Sequence, residues 1–282
     1  MRKLLLMSCL GLIAALTGPA LVAQEKVERV GKDTCLSCHE VSAGFASSPH
    51  AVAECEDCHG PGQKHVDEGG DPEFIRSASA AGWTEACQSC HARQGTDVAE
   101  FSWGPHGSRD IGCRDCHRIH PEEGNFGLLA RRSELELCSE CHRGEAAQFR
   151  LPFHHPVREG MMECSDCHSP HAPEQSQRRL EPVSGRGCVS CHSDKKGPFA
   201  FPHSVVEAGE CTTCHVPHGG INPRLLVRTQ VHQLCLECHS PAVGVAFRQP
   251  PSFHDLRSPR YRNCTTCHRE IHGSNVDPNF VR

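Results

Sequence analysis

Apolar residues are concentrated at the start of the chain. Positions 4–16 form one apolar run, which follows Arg2 and Lys3 and ends shortly before Pro19. Downstream, no apolar stretch reaches the roughly 18 residues that a membrane-spanning helix needs, and the alternation typical of strands is nearly absent. The pattern therefore predicts short helices, mostly irregular chain and almost no β structure.

Two further segments have a local signature. The best longer helix is predicted over 133–148, where Ser133 and Glu136 have the spacing of a capping box. Segments 60–72 and 170–187 are rich in Gly, Pro and Ser and are predicted to be loops.

The apolar run has the layout of a secretory signal peptide, with a basic start and a small residue, Ala23, before a cut at Gln24. A membrane anchor is disfavoured because the run is too short. A lipoprotein cut at Cys9 is disfavoured because only four apolar residues precede it. We expect residues 1–23 to be removed and 24–282 to be exported and water-soluble.

Composition excludes the commoner classes of protein. The chain has 21 Cys and 22 His but only 14 aromatic residues, so little aliphatic and aromatic surface remains for an ordinary core once the cysteines are subtracted. The formal net charge is −5 and becomes −7 without the leader, so nothing favours nucleic acid as a partner. An ordinary globular enzyme is also disfavoured.

Twenty cysteines form ten Cys-x-x-Cys-His motifs, and the remaining one is Cys9 in the leader. This motif is typical of c-type haem attachment, in which two thiols form thioethers to one haem and the following His binds its iron. We therefore predict ten covalently attached haems c. The attaching cysteines are Cys35, Cys38, Cys55, Cys58, Cys87, Cys90, Cys113, Cys116, Cys138, Cys141, Cys164, Cys167, Cys188, Cys191, Cys211, Cys214, Cys235, Cys238, Cys264 and Cys267.

Zinc and disulfides are the alternatives for paired cysteines. Zinc ribbons need a second pair at a set spacing and have no reason to place His after every pair. A disulfide framework, which an exported chain would permit, does not explain the ten histidines either. The predicted proximal iron ligands are His39, His59, His91, His117, His142, His168, His192, His215, His239 and His268.

Ten irons also need ten distal ligands, and twelve histidines remain for them, whereas the exported part holds only Met161 and Met162. Bis-His ligation is therefore predicted throughout. The first motif of each pair recurs after 52, 51, 50 and 47 residues, and each repeat reads motif, His, motif, His. The predicted distal ligands are His50, His65, His106, His120, His155, His171, His203, His218, His254 and His272.

His154 and His232 have no equivalent in the other repeats and are predicted to be surface residues, although His154 and His155 are interchangeable on sequence. His120, His171 and His218 lie three residues after a proximal His. Such short segments cannot reach round their own haem, so we expect these ligands to serve the other haem of the same repeat.

The haems must share one core. Each has roughly 26 residues of the exported chain, fewer than the ~40 below which domains rarely fold alone. The predicted fold is a multihaem cytochrome c, mostly irregular with short α-helices, in which five di-haem units form an elongated row. The units are approximately 24–75, 76–132, 133–180, 181–228 and 229–282, and are numbered one to five below.

An iron with His on both faces has no open position for a substrate, so catalysis is disfavoured. Low to intermediate reduction potentials and electron conduction along the row are expected.

The chain resembles the periplasmic decahaem cytochromes of the MtrA/DmsE type over nearly its whole exported length. The resemblance is carried by Cys55-Glu-Asp-Cys-His-Gly-Pro-Gly62, Cys164-Ser-Asp-Cys-His-Ser-Pro-His171, Lys196-Gly-Pro-Phe199, 211–219 and Ile271-His-Gly-Ser274. It implies bis-His haems and a place inside an outer-membrane β-barrel porin. It also implies partners on both sides: periplasmic or inner-membrane electron carriers, and an outer-surface multihaem cytochrome or an extracellular acceptor or donor.

Three functions remain open on sequence. The favoured one is a conduit through the barrel, for metal reduction or Fe(II) oxidation outside the cell. The others are a soluble periplasmic electron shuttle, and a reductase that acts on a metal ion or oxyanion at an exposed haem edge.

Overall fold

The chain was analysed as a computed structural model, which describes residues 28–75, 80–92, 97–121, 128–171, 187–239, 256 and 258–281. The predicted leader and His254 lie outside these residues, as does most of the predicted loop 170–187. No helix in the described ranges is long and apolar enough to cross a membrane.

Short helices dominate the described part of the chain, as the sequence predicts. The α-helices are Lys32–Leu36, Ala43–Ala46, Cys55–His59, Gln63–Asp67, Ala80–His91, Cys113–Cys116, Glu134–Ser139, Arg143–Gln148, Cys188–Cys191, Ser204–Glu207 and Val231–Leu236. The 3₁₀-helices are Pro49–Val52, Pro72–Phe74, Asp97–Trp103, Gly107–Arg109, Cys164–Asp166, Ser193–Lys195, Cys211–Thr213, Pro223–Leu225, Pro259–Tyr261 and Cys264–Thr266.

The predicted helix over 133–148 is in fact two helices, Glu134–Ser139 and Arg143–Gln148. Ser133 caps the first one, because its hydroxyl accepts the Glu136 N–H at 3.2 Å. The break falls at His142, whose backbone (φ −88°, ψ 54°) is not helical. The last residue of this attachment motif therefore leaves the helix.

The helix prediction failed at two other places. The segment 60–72, predicted to be a loop, contains the helix Gln63–Asp67. The longest described helix, Ala80–His91, begins well before the attachment motif at its end, and that first part was not predicted. It contains Gly82 and has no strong amphipathic repeat, so its stability comes from the neighbours against which it packs rather than from its own pattern.

Four strands of two residues form two small antiparallel ladders. Strand β1 (Phe153–His154) pairs with β3 (Gly219–Gly220), and β2 (Phe201–Pro202) pairs with β4 (Gly273–Ser274). The first ladder joins unit three to unit four, and the second joins unit four to unit five.

The core made by side chains is small, as the composition predicts. The buried hydrophobic residues in the described ranges are Phe45, Ala86, Phe101, Phe149 and Val157. None of the large side chains described there is fully buried. Five such residues are too few to hold together a chain of 282 residues.

Candidate haem sites

Every attachment motif begins in a helical turn. The backbone N–H of the motif's His donates to the carbonyl of its first Cys, for example from His39 to Cys35 at 2.9 Å and from His142 to Cys138 at 2.8 Å. One turn brings positions i, i+3 and i+4 onto the same face. The two thiols and the imidazole of each motif are thereby presented to one side.

Within each unit the two motifs meet through their first cysteines. In all five units the second thiol is near enough to contribute to the raised pKa of the first: Cys55 acts on Cys35, Cys113 on Cys87, Cys164 on Cys138, Cys211 on Cys188, and Cys264 on Cys235. Burial and the neighbouring thiol raise the pKa of Cys188 to about 11. The Cys188 thiol of the unloaded motif is therefore protonated at neutral pH.

Consecutive units also meet through cysteines. The second motif of one unit interacts electrostatically with the first motif of the next: Cys58 with Cys87, Cys116 with Cys141, Cys167 with Cys191, and Cys214 with Cys238. The two kinds of contact alternate along the chain. Together they join all ten motifs in sequence order without a gap.

The predicted ligands form pairs of imidazole rings whose centres lie a nearly constant distance apart. Nine pairs of imidazoles, each made of one predicted proximal and one predicted distal His, have ring centres 5.9–6.3 Å apart. The pairs are His39–His65, His91–His50, His59–His120, His142–His106, His117–His171, His192–His155, His168–His218, His239–His203 and His215–His272.

This spacing fits an iron between the rings. Two metal–nitrogen bonds of about 2 Å, with a further ~1.1 Å from each nitrogen to its ring centre, separate two trans imidazole centres by about 6.2 Å. The angle between the ring planes varies from 13° for His215–His272 to 84° for His106–His142. A fixed distance with a free rotation is expected of two rings on one axis through a metal, and not of rings that pack against each other.

The twenty motif cysteines are free thiols in the structure. The described residues also contain no group of three or more His, Cys, Asp or Glu side chains able to hold a metal ion directly. These thiols and the paired imidazoles fit haem c.

Ligands are exchanged between neighbouring units. The first distal His of units one to four lies beside the first proximal His of the following unit, as His50 does beside His91. The second distal His of units two to five lies beside the second proximal His of the preceding unit, as His120 does beside His59. We call the first kind the forward ligand, the second kind the backward ligand, and the place where the two pass each other a crossing.

The crossings correct one expectation. His120, His171 and His218 do not serve their own haem, as predicted, but neither do they face the other proximal His of their own unit. They face His59, His117 and His168 in the preceding unit. The short connection from a proximal His carries the next ligand away from its own unit instead of across it.

Backbone carbonyls orient many of the rings. His65 donates through Nδ1 to the Asp71 carbonyl at 2.9 Å, His215 to Arg224 at 2.9 Å, and His268 to Asn279 at 2.6 Å. Such a bond fixes the tautomer and leaves Nε2 for a metal. Burial lowers the pKa of His168, His218 and His272, which keeps these imidazoles neutral, as coordination requires.

Sequence reasoning missed the phenylalanines at the crossings. Phe45 packs on the backward ligand His120 at 4.6 Å between ring centres, and Phe149 packs on His218 at 5.3 Å. Phe101 similarly contacts His171. Each lies five or six residues before a forward ligand, a recurrence that the sequence shows and that could have revealed them. These three are most of the buried hydrophobic residues in the described ranges.

His154, left over by the count of ligands, has two other partners. Its Nδ1 lies 2.6 Å from the Leu151 carbonyl and its Nε2 lies 3.2 Å from Glu159. The other spare residue, His232, lies 3.1 Å through Nδ1 from the carbonyl of Arg262. Neither is among the nine pairs described above.

The first unit has its own buried carboxylate. Glu56 accepts the backbone N–H groups of Val30, Gly31 and Gly62 at 2.8–3.0 Å and lies 3.6 Å from Arg29. Burial alone would raise the pKa of Glu56, but the three amides and the guanidinium lower it below its ordinary value. Glu56 thus fastens the start of the described chain to the second attachment motif.

Comparison with known proteins followed from this geometry. The model of the doubled CXXCH motif matches residues 154–197 and 203–244, and the model of the NrfB-like cytochrome c-type proteins matches residues 55–141. A multiheme cytochrome MtrA from Shewanella baltica is 32% identical over 195 residues, which are 62% of this chain and 57% of that protein. A cytochrome c-type protein NrfB from Escherichia coli O6:H1 is 25% identical over 120 residues, 38% of this chain and 63% of that protein. The chain therefore matches less than two thirds of the length of either relative.

Proposed function

We propose that this multihaem c-type cytochrome holds ten haems c in one row and conducts electrons along it. Its class rests on the doubled CXXCH match and on the similarity to the MtrA relative. The observation that carries the proposal is the unbroken series of neighbouring thiols along consecutive motifs, from Cys35 and Cys55 to Cys235 and Cys264.

The residues of the chain hold, orient and saturate the cofactor. Each motif supplies two thiols for thioether bonds, and each imidazole pair supplies both axial nitrogens of one iron. Haem c, when bound, supplies an iron that alternates between the ferric and ferrous states. Because both faces of the iron are taken, the proposal assigns the chain no reaction on a substrate.

The tenth haem completes the scheme by elimination. Nine proximal residues face a partner, and the remaining motif ends in His268, whose Nδ1 bond to Asn279 leaves Nε2 for a metal. His254 is the predicted distal ligand that the nine pairs do not use. We assign His254 to His268, so that the last haem, like the first, is ligated within its own unit.

The place of action is proposed from three observations. Residues 1–23 have the layout of an export signal. The chain is loop-rich and polar, so it cannot face lipid and needs a sheath to cross a membrane. It is also similar to a protein named MtrA. We therefore propose a periplasmic cytochrome seated in an outer-membrane β-barrel, between periplasmic or inner-membrane carriers and an outer-surface cytochrome or extracellular acceptor or donor.

Reconstitution tests the conduit. The holoprotein and its barrel are placed in liposomes that enclose a reduced dye, and an acceptor is added outside. The dye should be reoxidised only when both proteins are present. Equal rates of dye reoxidation without the barrel would contradict the conduit. Turnover of a small acceptor by the isolated holoprotein would favour a haem-edge reductase.

A break in the middle of the row is the matched control. The variant Cys138→Ser/Cys141→Ser lacks the fifth attachment site but leaves both ends of the chain unchanged. Conduction through the liposome membrane should be lost, while reduction of the end haems by a soluble donor persists. Undiminished conduction would contradict a single row.

A further inference from the structure

The forward ligands are hydrogen-bonded in a recurrent way. At the second crossing, Nδ1 of His106 lies 3.1 Å from the carbonyl oxygen of Pro170, the residue before the backward ligand His171. At the third crossing, His155 makes the same bond to Pro217 at 2.6 Å. At the fourth, burial lowers the pKa of His203, and the nearby backbone of Ile271, the residue before His272, opposes that shift. Each bond ties the two ligands of a crossing together.

The first crossing is the exception. Its forward ligand is His50, and the equivalent acceptor is the carbonyl of Ile119, the residue before His120. Nδ1 of His50 is buried, and it has no hydrogen-bond partner in the part of the chain that the structure describes. His50 thus has the same position as His106, His155 and His203 but a different environment for its second nitrogen.

The backbone pairing of the first crossing also differs from that of the third and fourth. In the third and fourth crossings, a ladder pairs the residue before the forward ligand with the residue after the backward ligand, His154 with Gly219 and Pro202 with Gly273. The equivalent residues of the first crossing are Pro49 and Pro121. Neither has a backbone N–H, so this pair cannot make a ladder bond.

A different contact takes the place of the ladder. Gly44 packs so closely on the carbonyl of Pro121 that a Cβ there would clash with it. The ring of Phe45 stacks on His120 with an angle of 19° between the planes. The first crossing is therefore held by side-chain and glycine packing, without the backbone pairing found at the third and fourth crossings.

The missing bond has an electronic consequence. Donation from Nδ1 to a carbonyl raises the basicity of an imidazole and so stabilises a ferric iron bound to Nε2. An imidazole without this bond, and with its Nδ1 shielded from water, stabilises the ferric state less. Hydrogen bonding to a ligand is among the means by which proteins set a haem potential.

We propose that the third haem, attached at Cys87 and Cys90 and ligated by His91 and His50, has a higher reduction potential than the other three haems with forward ligands. These are the haems of His142, His192 and His239. The inference rests on the proposed bis-His row and adds a potential step near its N-terminal end, at which an electron shared among these four haems resides preferentially. We expect a preference of about tenfold over each, which is about 59 mV for one electron.

The test uses the full holoprotein and a redox titration followed by electron paramagnetic resonance. The low-spin signal lost in His50→Ala identifies the third haem, and the signals lost in His106→Ala and His155→Ala identify the fifth and seventh. In the unaltered protein, the signal assigned through His50 should titrate at the highest potential of the three. An equal or lower potential would overturn the inference.

A second pair of proteins removes the bond itself. Incorporation of Nδ-methylhistidine at position 106 removes the N–H that donates to the Pro170 carbonyl. The reduction potential of the fifth haem should then rise by about 59 mV, which is a tenfold change in its reduction equilibrium. The same replacement at position 50 removes no hydrogen bond and should leave the potential of the third haem unchanged. Equal shifts at both positions would contradict the proposal.

Pro121→Gly restores at the first crossing the residue found at the third and fourth. It should lower the potential of the third haem towards that of the fifth, and an unchanged or raised value would count against the proposal. The count of haems and the low-spin state of all irons are measured first in the unaltered protein. Fewer than ten haems, or irons that are not low-spin, would contradict the proposed row. Equal potentials in a complete row would contradict only this inference.

Discussion

A histidine binds a metal only when its free nitrogen is left unengaged, and the neighbours His154 and His155 differ in this respect. His155 donates through Nδ1 to Pro217 at 2.6 Å, and its ring centre lies 6.3 Å from that of His192. His154 uses both nitrogens, on Leu151 and Glu159. Sequence alone left these two residues interchangeable, whereas their hydrogen bonds favour His155 as the ligand.

This difference gives a paired prediction. His155→Ala should convert one of the ten irons from low-spin to high-spin, because the seventh haem loses an axial nitrogen. His154→Ala should leave every iron low-spin, because Glu159 and Leu151 are its partners. Electron paramagnetic resonance of the oxidised proteins measures both, and the reverse outcome would exchange the two roles.

The buried carboxylate of Glu56 makes the N-terminal segment sensitive to acid. Its pKa is lowered in the folded chain, so the stability that it contributes is present above the unfolded value of about 4.3 and is lost as the pH falls through the folded value. Protection of the amides of Val30, Gly31 and Gly62 from hydrogen exchange should therefore fall between neutral pH and pH 3.

Glu56→Gln serves as the control, because an amide cannot titrate in this range. Its protection factors should be lower at neutral pH and should not change on acidification. Acid loss of the same size in the glutamine variant would show that another group is responsible.

At the scale of elements, the helical turn and the crossing have different origins. The turn is local: Cys, Cys and His at i, i+3 and i+4 share a face because of helix geometry alone. The crossing joins segments about 65 to 73 residues apart, as in β1 with β3 or β2 with β4. The sequence predicted the turns and gave no signal for strands this short, since two residues show no alternation.

We expect the phenylalanines of the crossings to contribute a large part of the free energy of unfolding. Phe149 is buried against His218, and its replacement by Ala should lower the free energy of unfolding by about 3–5 kcal/mol. It should also weaken ligation of the sixth haem, visible as partial high-spin character. Calorimetry and magnetic resonance on the holoprotein measure the two effects.

Phe153→Ala is the matched comparison, since Phe153 lies four residues away and is 38% exposed. It should cost much less stability and change no spin state. Equal losses of stability from both substitutions would mean that the contact between Phe149 and His218 contributes no more than an exposed side chain does.

At the scale of the whole molecule, the exchange of ligands makes the units interdependent. His272 belongs to unit five, but its ring lies beside His215 of unit four, 6.3 Å away between centres. Among the nine pairs in the described residues, only His39 and His65 belong to the same unit. Removing a ligand should therefore change the spin state of an iron in the neighbouring unit rather than in the substituted one.

Double variants test this dependence. His272→Ala should create one high-spin iron, and the added change Cys211→Ser/Cys214→Ser should abolish that signal by deleting the eighth haem. The alternative addition, Cys264→Ser/Cys267→Ser, deletes the tenth haem and should leave the high-spin signal in place. The opposite pattern would place His272 on the haem of its own unit.

The sequence by itself determined the class of protein, the attachment sites and the probable ligand types, because thioether attachment and proximal ligation depend on residues three and four positions apart. It also predicted a small core and little β structure, since both follow from composition. It misplaced the distal partners of His120, His171 and His218 and did not identify Phe45, Phe101 and Phe149 as the residues that cover the crossings.

Only the tertiary structure decided which imidazoles face each other. A forward and a backward ligand meet their irons through segments from neighbouring units, and their positions depend on backbone pairing and ring packing at the crossing rather than on spacing along the chain. Thus the residues that bind are encoded locally, whereas the order in which they bind follows from how one unit packs against the next.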